Sequence, residues 1–187
     1  MKLLLTSAGF ANQAAAEAFT RLVEKPASEL RVLFIPTAAQ SGEALRYVDT
    51  CRKELLGAGI DRSNIHIYDL DRRMTEVELG EYDAVYVCGG DTRYLLKRVK
   101  RAGFDKALKS FCGLYVGVSA GSLIAAAQMD IGRVKMAKGL GLVNCGLRVH
   151  CQEGLPPGTI DTVGCPLVAL TDRQALVIEN GQVMRIQ

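Results

Sequence analysis

Five short apolar runs, each followed by a longer amphipathic or small-residue segment, constrain this chain more than any other feature. They are "KLLLT" (2–6), "RVLFIP" (31–36), "NIHIYDL" (64–70), "DAVYVCG" (83–89) and "GLYVGV" (113–118). Between and after them lie the helical patterns 13–25, 41–59, 91–103 with 104–111, and 120–128, so strand and helix alternate. That alternation is the signature of an α/β fold: a three-layer structure with a mostly parallel twisted sheet flanked by helices. Pro26 stops the first helix and Gly57 and Gly59 close the second. Beyond residue 130 the pattern loosens. The tail reads as two antiparallel strands, 166–172 leading to 174–186, with Asn180-Gly181 as the positive-φ turn of a C-terminal β-hairpin.

A chain of 187 residues, 49% hydrophobic, suits one core, and a single domain over 1–187 is expected. Its 23 basic and 20 acidic residues are scattered, and "KRVKR" (97–101) reads as the solvated face of a helix. Neither a nucleic-acid surface nor a membrane patch is indicated. The start "MKLLLTSAGFANQAAA" is interrupted by Thr6, Ser7, Asn12 and Gln13, so it reads as a buried strand turning into a helix rather than a secretory leader. Six cysteines (51, 88, 112, 145, 151, 165) form no C-x-x-C pair, which fits reduced thiols in a cytoplasmic protein. A zinc site from Cys145, His150, Cys151 and Cys165 matches no common ligand spacing.

In open α/β sheets ligands sit beyond the carboxyl ends of the strands. The loops after the second, fourth and fifth runs, "TAAQ", "GGDT" and "SAGS", should therefore converge. The last belongs to "YVGVSAGSLIAA" (115–126), where Ser119 has Gly117 and Gly121 two positions away on either side. G-x-S-x-G between an apolar strand and an apolar helix is the pattern of a nucleophile elbow, a strained turn that needs small neighbours and lifts the hydroxyl above the sheet. The free N–H of Ala120 at the helix start would supply half of an oxyanion hole, and the backbone N–H of Gly90 in "CGGDT" the other half.

The bases available are His66 and His150. His66 lies mid-strand among alternating apolar residues, whereas His150 ends an apolar segment after the elbow, where active-site loops belong. His150 is the expected base, with Asp172 preferred over Glu153 as the carboxylate that orients it. The order Ser, His, Asp differs from that of the α/β-hydrolases, and a different serine family is called for.

Taken in order, "TSAGFANQ" (6–13), "FIPTAA" (34–39), "CGGDTRYLL" (88–96), "GVSAGSL" (117–123), "GLGLV" (139–143), "VH" (149–150) and "LTDRQALVI" (170–178) resemble the peptidase E family. These are the S51 serine peptidases, which include α-aspartyl dipeptidase and the larger cyanophycinases, and whose fold is similar to that of class I glutamine amidotransferases. The resemblance implies Ser119 as nucleophile, His150 as base, Asp172 as third member, and oxyanion donors at Gly90 and Ala120. It also implies a small peptide substrate held near Gly89, Asp91 and Gln174. Nucleophile, base and oxyanion donors form a complete set for acyl transfer, so neither metal nor organic cofactor is expected. The family commonly has Asn where this chain has Asp91, and a carboxylate there would repel an aspartyl side chain. The stretch 129–165 matches poorly and leaves specificity residues unassigned.

Two other functions share the pattern. One is a binding module that kept the fold and lost turnover. The other is glutamine hydrolysis with ammonia transfer, which usually needs a cysteine at the elbow and a glutamate two residues after the histidine; here the elbow holds serine and Glu153 follows His150 by three. The apolar C-terminal hairpin has two available partners, its own core or the twin subunit of a homodimer.

Overall fold

The structure is a computed structural model that describes residues 1–11, 13–132 and 136–187. Asn12, counted above among the polar interruptions and in the "TSAGFANQ" motif, lies outside the described residues. The strands are β1 (Lys2–Thr6), β2 (Val32–Ile35), β3 (Ile65–Ile67), β4 (Ala84–Val87), β5 (Leu114–Val118), β6 (Ala126–Met129), β7 (Ala137–Lys138), β8 (Val143–Arg148), β9 (Gly158–Thr159), β10 (Leu167–Ala169), β11 (Ala175–Glu179) and β12 (Gln182–Ile186). The helices are α1 (Gln13–Val23), α2 (Gly42–Gly57), α3 (Glu76–Leu79), α4 (Thr92–Arg101), α5 (Phe104–Ala107) and α6 (Ala120–Ala125).

The main sheet runs β3-β2-β4-β5-β1-β11-β12-β9. Its first five strands are mutually parallel, and β11, β12 and β9 extend it antiparallel. The central parallel strands β2, β4 and β5 are apolar throughout because both faces are covered, whereas edge strand β3 carries His66 and leaves Ile67 exposed. Leu3, Leu5, Leu33, Ile35, Val85, Val87 and Tyr115 point into one core. Their alternates Leu4, Val32, Phe34, Ala84, Tyr86, Leu114 and Val116 point into the other. Helices α1 and α2 cover the second face through Ala15, Phe19, Leu22, Cys51 and Leu55. The first is covered by α4, α5, α6 and a second sheet, β10-β8-β6-β7, which contributes Val143, Leu147 and Val168 to the same core. This is the three-layer α/β arrangement expected from the alternating pattern.

Local chemistry sets the helix boundaries. Ser41 caps α2, its hydroxyl accepting from Ala44 N–H, and Asp91 caps α4 by accepting from Arg93 and Tyr94 N–H. Arg98, Lys100 and Arg101 fill the last turn of α4, where cations complement the helix dipole. Within "KRVKR", Val99 is buried and Lys97, Lys100 and Arg101 are exposed. Arg98 folds back instead, its guanidinium 5.6 Å from the Tyr94 ring centroid and donating to Leu70 and Asp69 carbonyls.

Two sequence expectations are corrected. The helix expected over 120–128 ends at Ala125, and Ala126 turns to extended backbone to begin β6. Carbonyls at this end turn outward to the neighbouring segment, where Ile124, Ala125 and Ala126 O accept from Leu140, Leu142 and Gly141 N–H. Residues 166–172 do not pair with 174–186 either. Leu167–Ala169 joins β8 in parallel in the second sheet, and the chain then crosses to the main sheet through the Thr171–Gln174 turn. The hairpin lies wholly between β11 and β12, with Asn180 and Gly181 at φ 51° and 76°.

Candidate active site

Six strand ends meet at one place. Ser7 follows β1, Ala38 follows β2, Gly89 and Gly90 follow β4, Ser119 follows β5, His150 follows β8 and Asp172 follows β10. The parallel register aligns the carboxyl ends of β1, β2, β4 and β5, as the switch-point rule requires.

Ser119 sits at φ 49° and ψ −105°, a strained conformation for a residue with a side chain. Its glycine neighbours make the turn sterically feasible. A Cβ on Gly117 would stand 2.6 Å from Ser122 N, and one on Gly121 would stand 2.2 Å from Val87 O. Buried hydroxyls brace the turn: Tyr115 donates to Gly121 O at 2.7 Å, and Ser122 Oγ lies 2.7 Å from both Thr6 O and Gly117 O.

Ser119 Oγ lies 2.8 Å from His150 Nε2, and His150 Nδ1 lies 2.7 Å from Asp172 Oδ1. An ionised carboxylate only accepts, so Nδ1 carries the imidazole proton and Nε2 is left to accept from the serine hydroxyl. Burial pulls the Asp172 pKa upward. Hydrogen bonds from Ser7 and His150, with the electrostatic attraction of the His150 ring, outweigh it and hold the carboxyl below its usual range. Glu153 is exposed, and Asp172 takes the place beside the ring.

Ser7, which sequence reasoning did not single out, joins this chain of contacts. Fully buried, it donates to Asp172 Oδ1 at 2.7 Å and accepts from His150 N–H at 2.8 Å. It therefore ties down both the carboxylate and the main chain of a histidine held at φ 57°. Behind Ser7, Glu54 clamps the loop by accepting from Phe10 N–H and from Tyr86 O–H, the latter at 3.0 Å. Burial pushes the Glu54 carboxyl upward, and those two hydrogen bonds partly offset it.

The Gly89-Gly90 backbone runs against Ser119. A Cβ on Gly89 would stand 3.2 Å from Ser119 Cβ, and one on Gly90 would stand 2.0 Å from Ala38 O. Gly90 also has φ 138°, which side chains rarely adopt. Ala120 opens α6, and the first helical N–H groups have no partner within the helix.

A cavity of about 230 Å³ opens over the serine. Gly89, Gly90, Ser119 and His150 form part of its wall, and Ser41, Glu43, Ala44 and Tyr47 from the start of α2 form the rest. The α2 residues carry no motif; their position just after β2 is the only signal in the sequence.

Two expected pocket residues are elsewhere. The Asp91 carboxylate is turned to the α4 amides at 2.9 and 2.8 Å and does not line the cavity. Gln174 is buried away from it: its amide donates to Leu155 O and Gln187 Oε1 and accepts from Thr171 N–H. His66 lies on β3 with its ring edge-on to Tyr82. Among the described residues no group of three or more His, Cys, Asp or Glu is placed to hold a metal ion, so Cys145, His150, Cys151 and Cys165 do not assemble one. No helix among them is long and apolar enough to cross a membrane.

Comparison with known proteins gives a consistent result. An uncharacterized peptidase of Listeria monocytogenes is 35% identical over 96 residues, covering 50% of this chain and 47% of the relative. One of Pasteurella multocida is 34% identical over 104 residues, covering 53% of this chain and 49% of the relative. The matched segment thus spans about half the length of these curated relatives. In three dimensions the chain superposes on a crystal structure from L. monocytogenes EGD-e, described as a candidate peptidase E, with TM-score 0.75 and 25% identity over 100% of this chain and 98% of that one. A peptidase from an acI-B1 actinobacterium shares the fold at TM-score 0.70 and 20% identity, covering 99% and 86%. The sequence model of peptidase family S51 matches residues 3–186, and the chain belongs to that family.

Proposed function

We propose that this peptidase-family protein is a serine-type hydrolase of dipeptides or other small peptides, working through an acyl-enzyme. The observation that carries this reading is the unbroken Ser119–His150–Asp172 hydrogen-bond chain, at 2.8 and 2.7 Å, on a strained elbow facing a cavity. Ser119 Oγ attacks the scissile carbonyl while its proton passes to His150 Nε2. The carbonyl oxygen takes the negative charge and is held by the N–H groups of Gly90 and Ala120. When the C–N bond breaks, His150 returns the proton to the leaving amine. A water then attacks the ester, with the same nitrogen as base, and frees the serine. Asp172 keeps the ring in the tautomer that both steps need.

The cavity, at about 230 Å³, is small for a folded polypeptide segment and suits one residue of a short peptide. The free cysteines fit a reducing, cytoplasmic setting.

A dipeptide library with the N-terminal residue varied, assayed with wild type and Ser119→Ala, tests the reading. Wild type should hydrolyse a subset, and the variant should lose about a thousandfold or more in rate. Equal hydrolysis by both proteins would overturn it.

A further inference from the structure

We infer that Glu43 sets the substrate class of this site, so that the cavity accepts an acyl residue with a cationic side chain and rejects one with a carboxylate. The inference rests on the reading of Ser119 as nucleophile. Among the described residues Glu43 is the only acidic side chain in the cavity wall, and no lysine or arginine lines it. It makes no ion pair among the described residues. An aspartyl or glutamyl side chain entering here would meet one like charge and, among the described lining residues, no lysine or arginine to offset it. The nearby Asp91 carboxylate, bonded to the α4 amides, adds to the negative field beside Gly90 instead of relieving it.

The rest of the α2 wall fits a long aliphatic stem with a charged tip. Ala44 and Tyr47 lie three positions apart, and Glu43 and Tyr47 four, so all three share one flank of the helix. Ala44 and the Tyr47 ring offer apolar surface to methylenes, and the ring face attracts a cation as well. The glycine part of the wall, beside Ser119, is left for the scissile carbonyl. Lysyl and arginyl acyl groups combine these properties.

Three α-aminoalkyl diphenyl phosphonates test this, with side chains like lysine, norleucine and aspartate and the same free amine. Each forms a Ser119 Oγ–P bond with loss of phenol, so labelling is read by mass spectrometry without any need for turnover. Wild type should react about fivefold faster with the lysine-like than with the norleucine-like probe, as expected for an exposed ion pair, and slowest with the aspartate-like one. The lysine-to-aspartate ratio should shrink as salt is raised. It should fall toward one in Glu43→Gln and invert in Glu43→Lys. An aspartate-like probe that reacts as fast as the lysine-like one in wild type, or a ratio unchanged in both variants, would overturn the assignment while leaving Ser119 as nucleophile. Failure of all three probes to label Ser119 would remove the nucleophile reading and this inference with it.

Discussion

Ser7 donates to the same Asp172 oxygen, Oδ1, that lies 2.7 Å from His150 Nδ1, and does so from a fully buried position at the end of β1. The first strand thereby positions a carboxylate that the chain supplies 165 residues later. Replacing Ser7 with Ala removes the donor to Asp172 and strands the His150 N–H that it accepts from. The expected cost is about 1–3 kcal/mol of stability. A purely structural loss would stop there. The positioning role adds a second signature, an Asp172 pKa that moves up toward the ordinary carboxylate range, read from its side-chain carbon shift by NMR. An unmoved Asp172 titration in a folded Ser7→Ala protein would contradict that role.

The depressed Asp172 pKa also sets a direction for stability against pH. A carboxyl whose folded pKa lies below its unfolded value of about 3.9 stabilises the protein above that value. The contribution is lost as pH falls through the folded value. Its size should be small, because 58% of the side chain is exposed. In urea titrations the stability gap between wild type and Asp172→Asn should narrow below about pH 4. A gap constant from neutral pH to pH 3 would show that the carboxylate gains nothing from its partners.

Glycine substitutions separate geometry from chemistry. A Cβ at Gly90 would stand 2.0 Å from Ala38 O in a backbone at φ 138°, so Gly90→Ala must shift the loop beside Ser119. Labelling of Ser119 by a fluorophosphonate should slow about a hundredfold or more, the usual loss for one oxyanion donor. Gly57→Ala, at the end of α2 with nothing within 4 Å, should leave the labelling rate unchanged. Equal rates for the two variants would remove Gly90 from the account.

How much of this could be read in the chain depends on where each signal is written. The parallel strands were legible because burial on both faces makes them continuous apolar runs, and the elbow because its strain demands glycines at fixed offsets. The second sheet was hidden: β6 begins inside an alanine-rich run that suits a helix equally well, and β8 and β10 find each other only in space. Ser7 was visible as a polar residue just after β1, but its importance depends on the ends of β8 and β10 bringing His150 and Asp172 to it, which no local pattern records. Asp91 shows the opposite case. Its position beside the glycine loop suggested substrate contact, while its position one residue before α4 made it a cap, and the two free amides of the helix start hold the carboxylate.

That assignment of Asp91 is itself testable. Asp91→Ala should destabilise the protein by about 1 kcal/mol through loss of the cap, and Asp91→Asn, which can still accept from the same amides, by much less. Thermal or chemical unfolding of both variants gives the comparison. Equal losses from the two would mean that the carboxylate's charge, rather than its capping hydrogen bonds, is what matters at this position.

The central claim is that Ser119 is a nucleophile activated by His150. The most direct measurement is the rate of covalent labelling by a fluorophosphonate, with the modified residue located by mass spectrometry, in wild type, Ser119→Ala and His150→Ala. The account predicts one adduct, on Ser119, formed in wild type, absent in Ser119→Ala and slowed by about a thousandfold or more in His150→Ala. A wild-type protein that takes no label at Ser119, or takes it equally fast without His150, would contradict it.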